Sequence, residues 1–268
     1  MPADMSALLA DLAAESEVIA QMLSGLSPED YELPTPAEGW AIRDQVSHLA
    51  YFDEMEVTAA TEPERFRTEA AKLMEGGEAY PDEVARRYAK TPAGELAGWF
   101  GAARARLIET FAGIDARARL PWFGPEMSAA SAITARLMET WAHGQDIADA
   151  IGFVREPTDR LRHIAHLGVS TFAFAHRLRG LEAPRSAVRV ELTSPGGEIW
   201  SWGPEGAEDR VEGSALEFCL VVTQRRNLAD TGLVVRGPVA QLWMGIAQAY
   251  AGAPGPGREA GSFPIEER

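Results

Sequence analysis

The stretch Gly39-Trp40-Ala41-Ile42-Arg43-Asp44-Gln45-Val46-Ser47-His48-Leu49-Ala50 reads as the entry to a long helix, expected over about 41–60. Ile42, Val46, Leu49, Ala50 and Phe52 recur at helical spacing and are expected to face inward. His48 falls on that same inward side. Asp44 stands where a carboxylate complements the positive end of the helix dipole. Ala41 occupies the position where a Ser or Thr would cap the helix, and the absence of such a cap typically costs about 1 kcal/mol.

Outward from this segment the chain alternates helices with breaks. Leu8, Leu12, Ile19, Met22, Leu23 and Leu26 place a helix over 6–26, stopped at Ser27-Pro28. Pro34, Pro36 and Gly39 make the following stretch a loop. After a charged segment at 61–78 a long helix is expected over 82–112, with a break near Pro92. The run Pro121-Trp122-Phe123-Gly124-Pro125-Glu126 is a loop, and a fourth helix follows over 128–151, ended by Gly152. Four long helices with loops between them predict a bundle over residues 1–155. A helix over 159–178 comes next. Then Val188, Val190 and Leu192 alternate with Arg189, Glu191 and Thr193, the period of a half-buried strand. Further strands are expected at 199–202, 210–212 and 233–235, with helices over 215–224 and 239–250. Residues 156–268 thus form a smaller α+β domain, in a protein that is mainly α. The Gly- and Pro-rich tail at 252–261 is expected to be mobile.

The composition narrows the class of partner. Across 268 residues, 25 Lys and Arg face 40 Asp and Glu, a formal charge of −15. An acid excess of that size repels a phosphate backbone, so no nucleic-acid partner is expected. No apolar run is long enough to cross a bilayer. Met1 to Ala10 lack the basic and apolar regions of a signal peptide. The single cysteine, Cys219, excludes an internal disulfide, and the expected location is cytoplasmic. The sequence is compatible with a monomer or a homodimer.

Chemistry concentrates on the second and fourth bundle helices. In Met138-Glu139-Thr140-Trp141-Ala142-His143-Gly144-Gln145-Asp146, Glu139 and His143 lie at i and i+4 and share one helical face. If the bundle brings His48 opposite them, two imidazoles and one carboxylate meet. Such a set suits a divalent ion, zinc foremost, with nickel, iron or manganese as alternatives. A solvated i,i+4 pair beside a core histidine is the plain alternative. Asp53, one turn beyond His48, reads equally as a general base, as a partner of the histidines, or as a solvated helix residue. His163, His166 and His176 read as surface or interdomain residues, and Cys219 as a small buried hydrophobe rather than a nucleophile. Trp40, Trp122 and Trp141 could wall a pocket but read more simply as core.

These two motifs resemble the DinB-like four-helix proteins, and the second is similar to the mycothiol-dependent maleylpyruvate isomerase branch of that superfamily. The resemblance implies a metal centre of His48, Glu139 and His143. It departs at Ala41, where the family usually carries Ser or Thr. In the C-terminal half, Trp202-Gly203-Pro204-Glu205, Phe218-Cys219-Leu220-Val221-Val222-Thr223-Gln224-Arg225-Arg226 and Ile246-Ala247-Gln248-Ala249-Tyr250-Ala251-Gly252 resemble an actinobacterial group of DinB-like proteins. Some of that group are labelled as wyosine-base-formation proteins. The isomerase branch carries a C-terminal domain in the style of sterol-carrier proteins, which contributes an arginine to the active site. Arg225 or Arg226 is the matching position.

The leading expectation is a metal-dependent enzyme that activates a low-molecular-weight, mycothiol-type thiol as cosubstrate. It would isomerise or transfer onto a small carboxylate substrate, with Arg225 or Arg226 holding the carboxylate. The alternatives are a metal-dependent hydrolase with Asp53 as base, and a metal- or ligand-binding protein without catalysis.

Overall fold

A computed structural model describes residues 4–263. The chain divides into two compact units, Met1–Arg155 and Glu156–Arg268.

The first unit is built on α1 (Met5–Ser24), α2 (Ile42–Thr61), α3 (Pro63–Met74), α4 (Tyr80–Tyr88), α5 (Ala93–Ala112), the short hairpin β1 (Arg119–Leu120) and β2 (Met127–Ser128), and α6 (Ala129–Ile151). The four long helices α1, α2, α5 and α6 form the bundle, with α1 and α2 each packed against both α5 and α6. Ile19, Ile42, Val46, Leu49, Leu96 and Ile147 are fully buried among them. The chain signals its ends as expected of capped helices. Ser128 accepts the amide of Ser131 at the start of α6, and Gly152 closes it at φ 66°, a conformation that favours glycine. Asp44 supplies half of a capping box at the start of α2 by accepting the Ala41 amide at 2.8 Å. The other half is missing because alanine has no acceptor.

The expected break near Pro92 is present and divides the stretch into α4 and α5, because Pro92 lacks an amide and biases Thr91 away from helical backbone. The freed Thr91 carbonyl accepts Arg43 Nη2 at 2.7 Å, which ties the break to the first turn of α2. The charged segment also contains α3, with Pro63 in its first turn and Phe66, Ala70 and Leu73 buried at helical spacing.

The second unit holds α7 (Leu161–Ser170), α8 (Phe172–Leu178), β3 (Val188–Thr193), β4 (Ile199–Trp202), β5 (Asp209–Ser214), α9 (Ala215–Val222), β6 (Val234–Arg236) and α10 (Pro238–Ile246). The expected single helix over 159–178 breaks at Thr171, and α10 ends at Ile246 rather than 250. The sheet runs β4-β3-β5-β6, with β3 and β5 parallel and the outer pairs antiparallel. Val190, Leu192, Trp200 and Val211 are buried on one face, and α9 packs against β3 and β5. On the other face, Arg189, Glu191, Arg210, Glu212 and Arg236 form a chain of ion pairs across three strands. The tail is irregular and hydrogen-bonded to the rest of its unit. Asn227 Nδ2 donates to the Arg258 carbonyl at 2.9 Å, and Asp230 accepts the Gly261 amide at 2.7 Å.

Candidate metal centre

Helices α2 and α6 bring His48, Glu139 and His143 together. Each offers one ligand atom, and these atoms all lie within 4.8 Å of one another. Nε2 of His143 is 3.0 Å and Nε2 of His48 is 3.5 Å from the same oxygen, Oε2 of Glu139. Both imidazoles are nearly buried, whereas the Glu139 side chain is 22% exposed, so the cluster opens on the carboxylate side. Gly144 follows His143 directly. A Cβ there would lie 3.2 Å from the Ile19 side chain, so the glycine lets α6 approach α1 closely at this level.

The electrostatics separate the members. Burial, reinforced by neighbouring His143, lowers His48 to about 3, so its ring is neutral. Burial pushes Glu139 up, but the imidazoles hydrogen-bonded to it outweigh that and hold it well below the usual carboxylate range. One carboxylate charge thus faces two ring nitrogens in a largely dry site. The donor set of two imidazole nitrogens and one carboxylate oxygen fits a divalent cation and leaves coordination positions for other ligands.

Rings close the site. The His48 and His143 rings are 4.3 Å apart, and Trp40 lies against both, at 5.4 and 5.8 Å between centroids. Trp40 therefore stands at the candidate centre, not in plain core. Its Nε1 donates to Asp82 at the start of α4 at 2.7 Å. Phe52 is 4.6 Å from His48 and joins Tyr80, Trp122 and Phe123 in an aromatic cluster. Burial and the nearby Glu139 charge raise the Tyr80 phenol to about 12, so it keeps its proton at neutral pH.

Gln45 belongs to the site and was not singled out in the sequence. It is fully buried, three residues before His48, and its Oε1 contacts Nδ1 of His143. Its Nε2 lies 2.8 Å from Thr35 Oγ1, which lies 2.8 Å from the Trp40 carbonyl. The only sequence signal was a polar side chain on the inward face of α2.

Asp53 is committed elsewhere. It is fully buried, with Arg104 Nε at 2.7 Å and Arg104 Nη2 at 3.1 Å on its two oxygens, and Arg136 Nε at 3.0 Å on one of them. Arg104 also donates to Thr140 and Ser16, and Arg136 to the Leu49 carbonyl. With three guanidinium N–H groups on its oxygens and no exposure, Asp53 is clamped inside the bundle rather than solvated. Its neighbour Glu56 is equally buried, with neither oxygen hydrogen-bonded.

In the second unit, Arg225 donates to the Thr223 carbonyl at 2.7 Å and lies over the Tyr250 ring. Arg226 donates to the Arg225 carbonyl at 2.7 Å and lies 3.7 Å from the Phe263 ring centroid. Cys219 is fully buried on α9, and burial pushes its thiol pKa up, which suits a packing role. His176 is also fully buried, not at the surface, with Nδ1 on the Phe172 carbonyl.

Residues 12–148 match the family model of the mycothiol maleylpyruvate isomerase N-terminal domain, and residues 184–236 match a model described as wyosine base formation. Two uncharacterized proteins of Mycobacterium tuberculosis, from strains CDC 1551 / Oshkosh and ATCC 25618 / H37Rv, are each 45% identical over 260 residues. That alignment spans 96% of this chain and all of theirs. The crystal structure of the mycothiol-dependent maleylpyruvate isomerase superposes with a TM-score of 0.59 at 15% identity, covering 89% of this chain and 96% of that one. A histidine-to-alanine mutant of that enzyme gives 0.57 at the same identity, over 83% and 90%. At such identity the likeness is one of fold.

Proposed function

Since the chain belongs to the mycothiol maleylpyruvate isomerase N-terminal domain family, we propose that it is an enzyme that uses a mycothiol-type thiol and a divalent ion to isomerise a small unsaturated acid. Transfer of the thiol to an electrophile would use the same site. The observation that carries this reading is the convergence of His48, Glu139 and His143 within 4.8 Å on a dry but open face.

His48, Glu139 and His143 would hold the ion, zinc in the first place. Bound there, it would supply Lewis acidity that favours the thiolate form of a thiol at neutral pH. The thiol would supply a reversible nucleophile able to turn a cis double bond trans. The chain's own residues prepare the surroundings. His48 stays neutral and keeps a lone pair for a cation. Glu139 supplies the one negative charge. Trp40 and Phe52 cover the imidazoles and limit water. Tyr80 remains a phenol, able to donate a hydrogen bond. Cys219, buried and held as a thiol, is no substitute nucleophile, so the thiol comes from solution. Arg225 or Arg226 is given the substrate carboxylate, tested by changing each to alanine: the expected result is a rise in KM larger than the fall in kcat.

The hydrolase alternative offered Asp53 as a base, and the ion pairs of Asp53 with Arg104 and Arg136 favour the thiol reading over it. The direct test is incubation of ion-loaded protein with maleylpyruvate, with and without mycothiol, together with calorimetry of mycothiol binding. Isomerisation that requires the thiol is expected. No heat of thiol binding, or equal turnover without thiol, overturns the reading.

A further inference from the structure

We propose that Gln45 is a positioning residue: held by Thr35, its carbonyl oxygen keeps the proton of His143 on Nδ1, so that Nε2 presents its lone pair to the candidate metal centre. The inference rests on the metal reading above, and its test separates the two.

Hydrogen-bond chemistry alone fixes each step of the relay. The Trp40 carbonyl can only accept, so the Thr35 hydroxyl, 2.8 Å away, spends its one proton there. The Thr35 oxygen must then accept from Gln45, and only the amide nitrogen of Gln45 can donate at 2.8 Å. That choice turns Oε1 of Gln45 towards His143. Oε1 can only accept, so Nδ1 of His143 must carry the hydrogen. A neutral imidazole with its proton on Nδ1 has a bare lone pair on Nε2. Yet Nε2 lies 3.0 Å from a Glu139 oxygen that is itself an acceptor. Contact at that distance calls for a positive charge at both atoms, either a cation ligated by both or, where none is bound, a second proton on the His143 ring that donates to Glu139. His48 makes the contrast, because its Nδ1 is buried with no hydrogen-bond partner. Among these three ligands the relay therefore orients His143 in particular. Partners of this kind that fix a ligating imidazole typically alter metal affinity 10- to 100-fold when removed.

The anchor of the relay is local to the entry of α2. Thr35 also receives its backbone order here, since its amide donates to the same Trp40 carbonyl at 2.8 Å. One short loop thus supplies both the ring that covers the imidazoles and the acceptor that ends the relay.

The test compares Gln45→Leu, Gln45→Glu and Thr35→Val with the wild type by two readouts. Chelator competition gives zinc affinity, and nitrogen-15 imidazole spectra of zinc-free and zinc-loaded protein give the tautomer of His143. The expected result is an affinity loss of about 10- to 100-fold in Gln45→Leu, a smaller loss in Thr35→Val, and retained affinity in Gln45→Glu, which keeps an acceptor for Nδ1. A mere packing role for Gln45 would reverse that order, because leucine fits a buried site better than a carboxylate. Full affinity in Gln45→Leu, or His143 protonated on Nε2 and not on Nδ1 in the folded wild type, overturns the proposal even where zinc binds. Absence of zinc binding in the wild type overturns the metal reading instead. The zinc-free spectra then decide Gln45 separately, with Nδ1 protonation in the wild type supporting the relay and its loss in Gln45→Leu expected. Thr35→Val, partly buried and remote from the ligands, reads the relay if the Gln45 variants fail to fold.

Discussion

The pairing of α2 with α6 buries two polar clusters, and they differ in what their side chains face. Around Asp53 the hydrogen bonds are made within the protein: its oxygens take three guanidinium N–H groups from Arg104 and Arg136. Five residues back along α2, His48 meets Glu139 and His143, and there two ring nitrogens and a carboxylate oxygen point at one another. A buried network with every donor and acceptor matched holds helices together. The second cluster is the one whose three residues can each offer a ligand atom to a cation.

The sharpest way to break the contrast is to unbalance the matched cluster. Asp53→Ala leaves two guanidinium groups buried without their anion, and a loss of about 3–5 kcal/mol in urea unfolding is expected. A loss below about 1 kcal/mol would mean that the cluster is no clamp.

Glu56 sits beside that clamp with neither oxygen hydrogen-bonded. Burial pushes its carboxyl up from 4.5 to about 8, against the opposing pull of Arg136. A group that binds its proton more tightly when folded contributes stability that is complete below about pH 4.5 and is lost progressively as pH rises to about 8. Glu56→Gln removes that loss. The variant is expected to exceed the wild type by of order 3 kcal/mol at pH 8, with the gap closing towards pH 4.5. Parallel stability curves across that range would contradict it.

The second cluster is sharpened by adding a cation. Zinc at a hundred times its dissociation constant should stabilise the wild type by about 2.7 kcal/mol in thermal unfolding. The Glu139→Gln variant, without the one ligand charge, should show little of that shift. Equal shifts in both would move the ion away from this cluster.

The smallest effect is a control at the start of α2. Ala41→Ser restores a side-chain acceptor for the Asp44 amide and should add about 1 kcal/mol. Zinc affinity should not change, since neither cluster is touched.

The sequence carried the scaffold and the three converging side chains further than it carried their surroundings. Periodic apolar residues and the Ser128 and Gly152 ends made α6 legible, and Glu139 and His143 followed from i,i+4 spacing. The helix α3 was hidden because Phe66, Ala70 and Leu73 are diluted by charged neighbours. Asp53 was ambiguous for a similar reason. It lies among Glu54 and Glu56, and only the arrival of Arg104 and Arg136 from other helices shows that it is buried. Gln45 was invisible because an amide has no spacing rule. Its role depends on Thr35, ten residues away across a loop, and on His143, 98 residues away. Trp40 reads as core from its type alone, and only the neighbouring imidazole rings place it at the centre.

The most direct measurement is the divalent-ion content of purified protein after dialysis, for the wild type beside His48→Ala. One equivalent in the wild type and almost none in the folded variant is the result this account predicts. No retained ion in the wild type, or the same content in both, contradicts it.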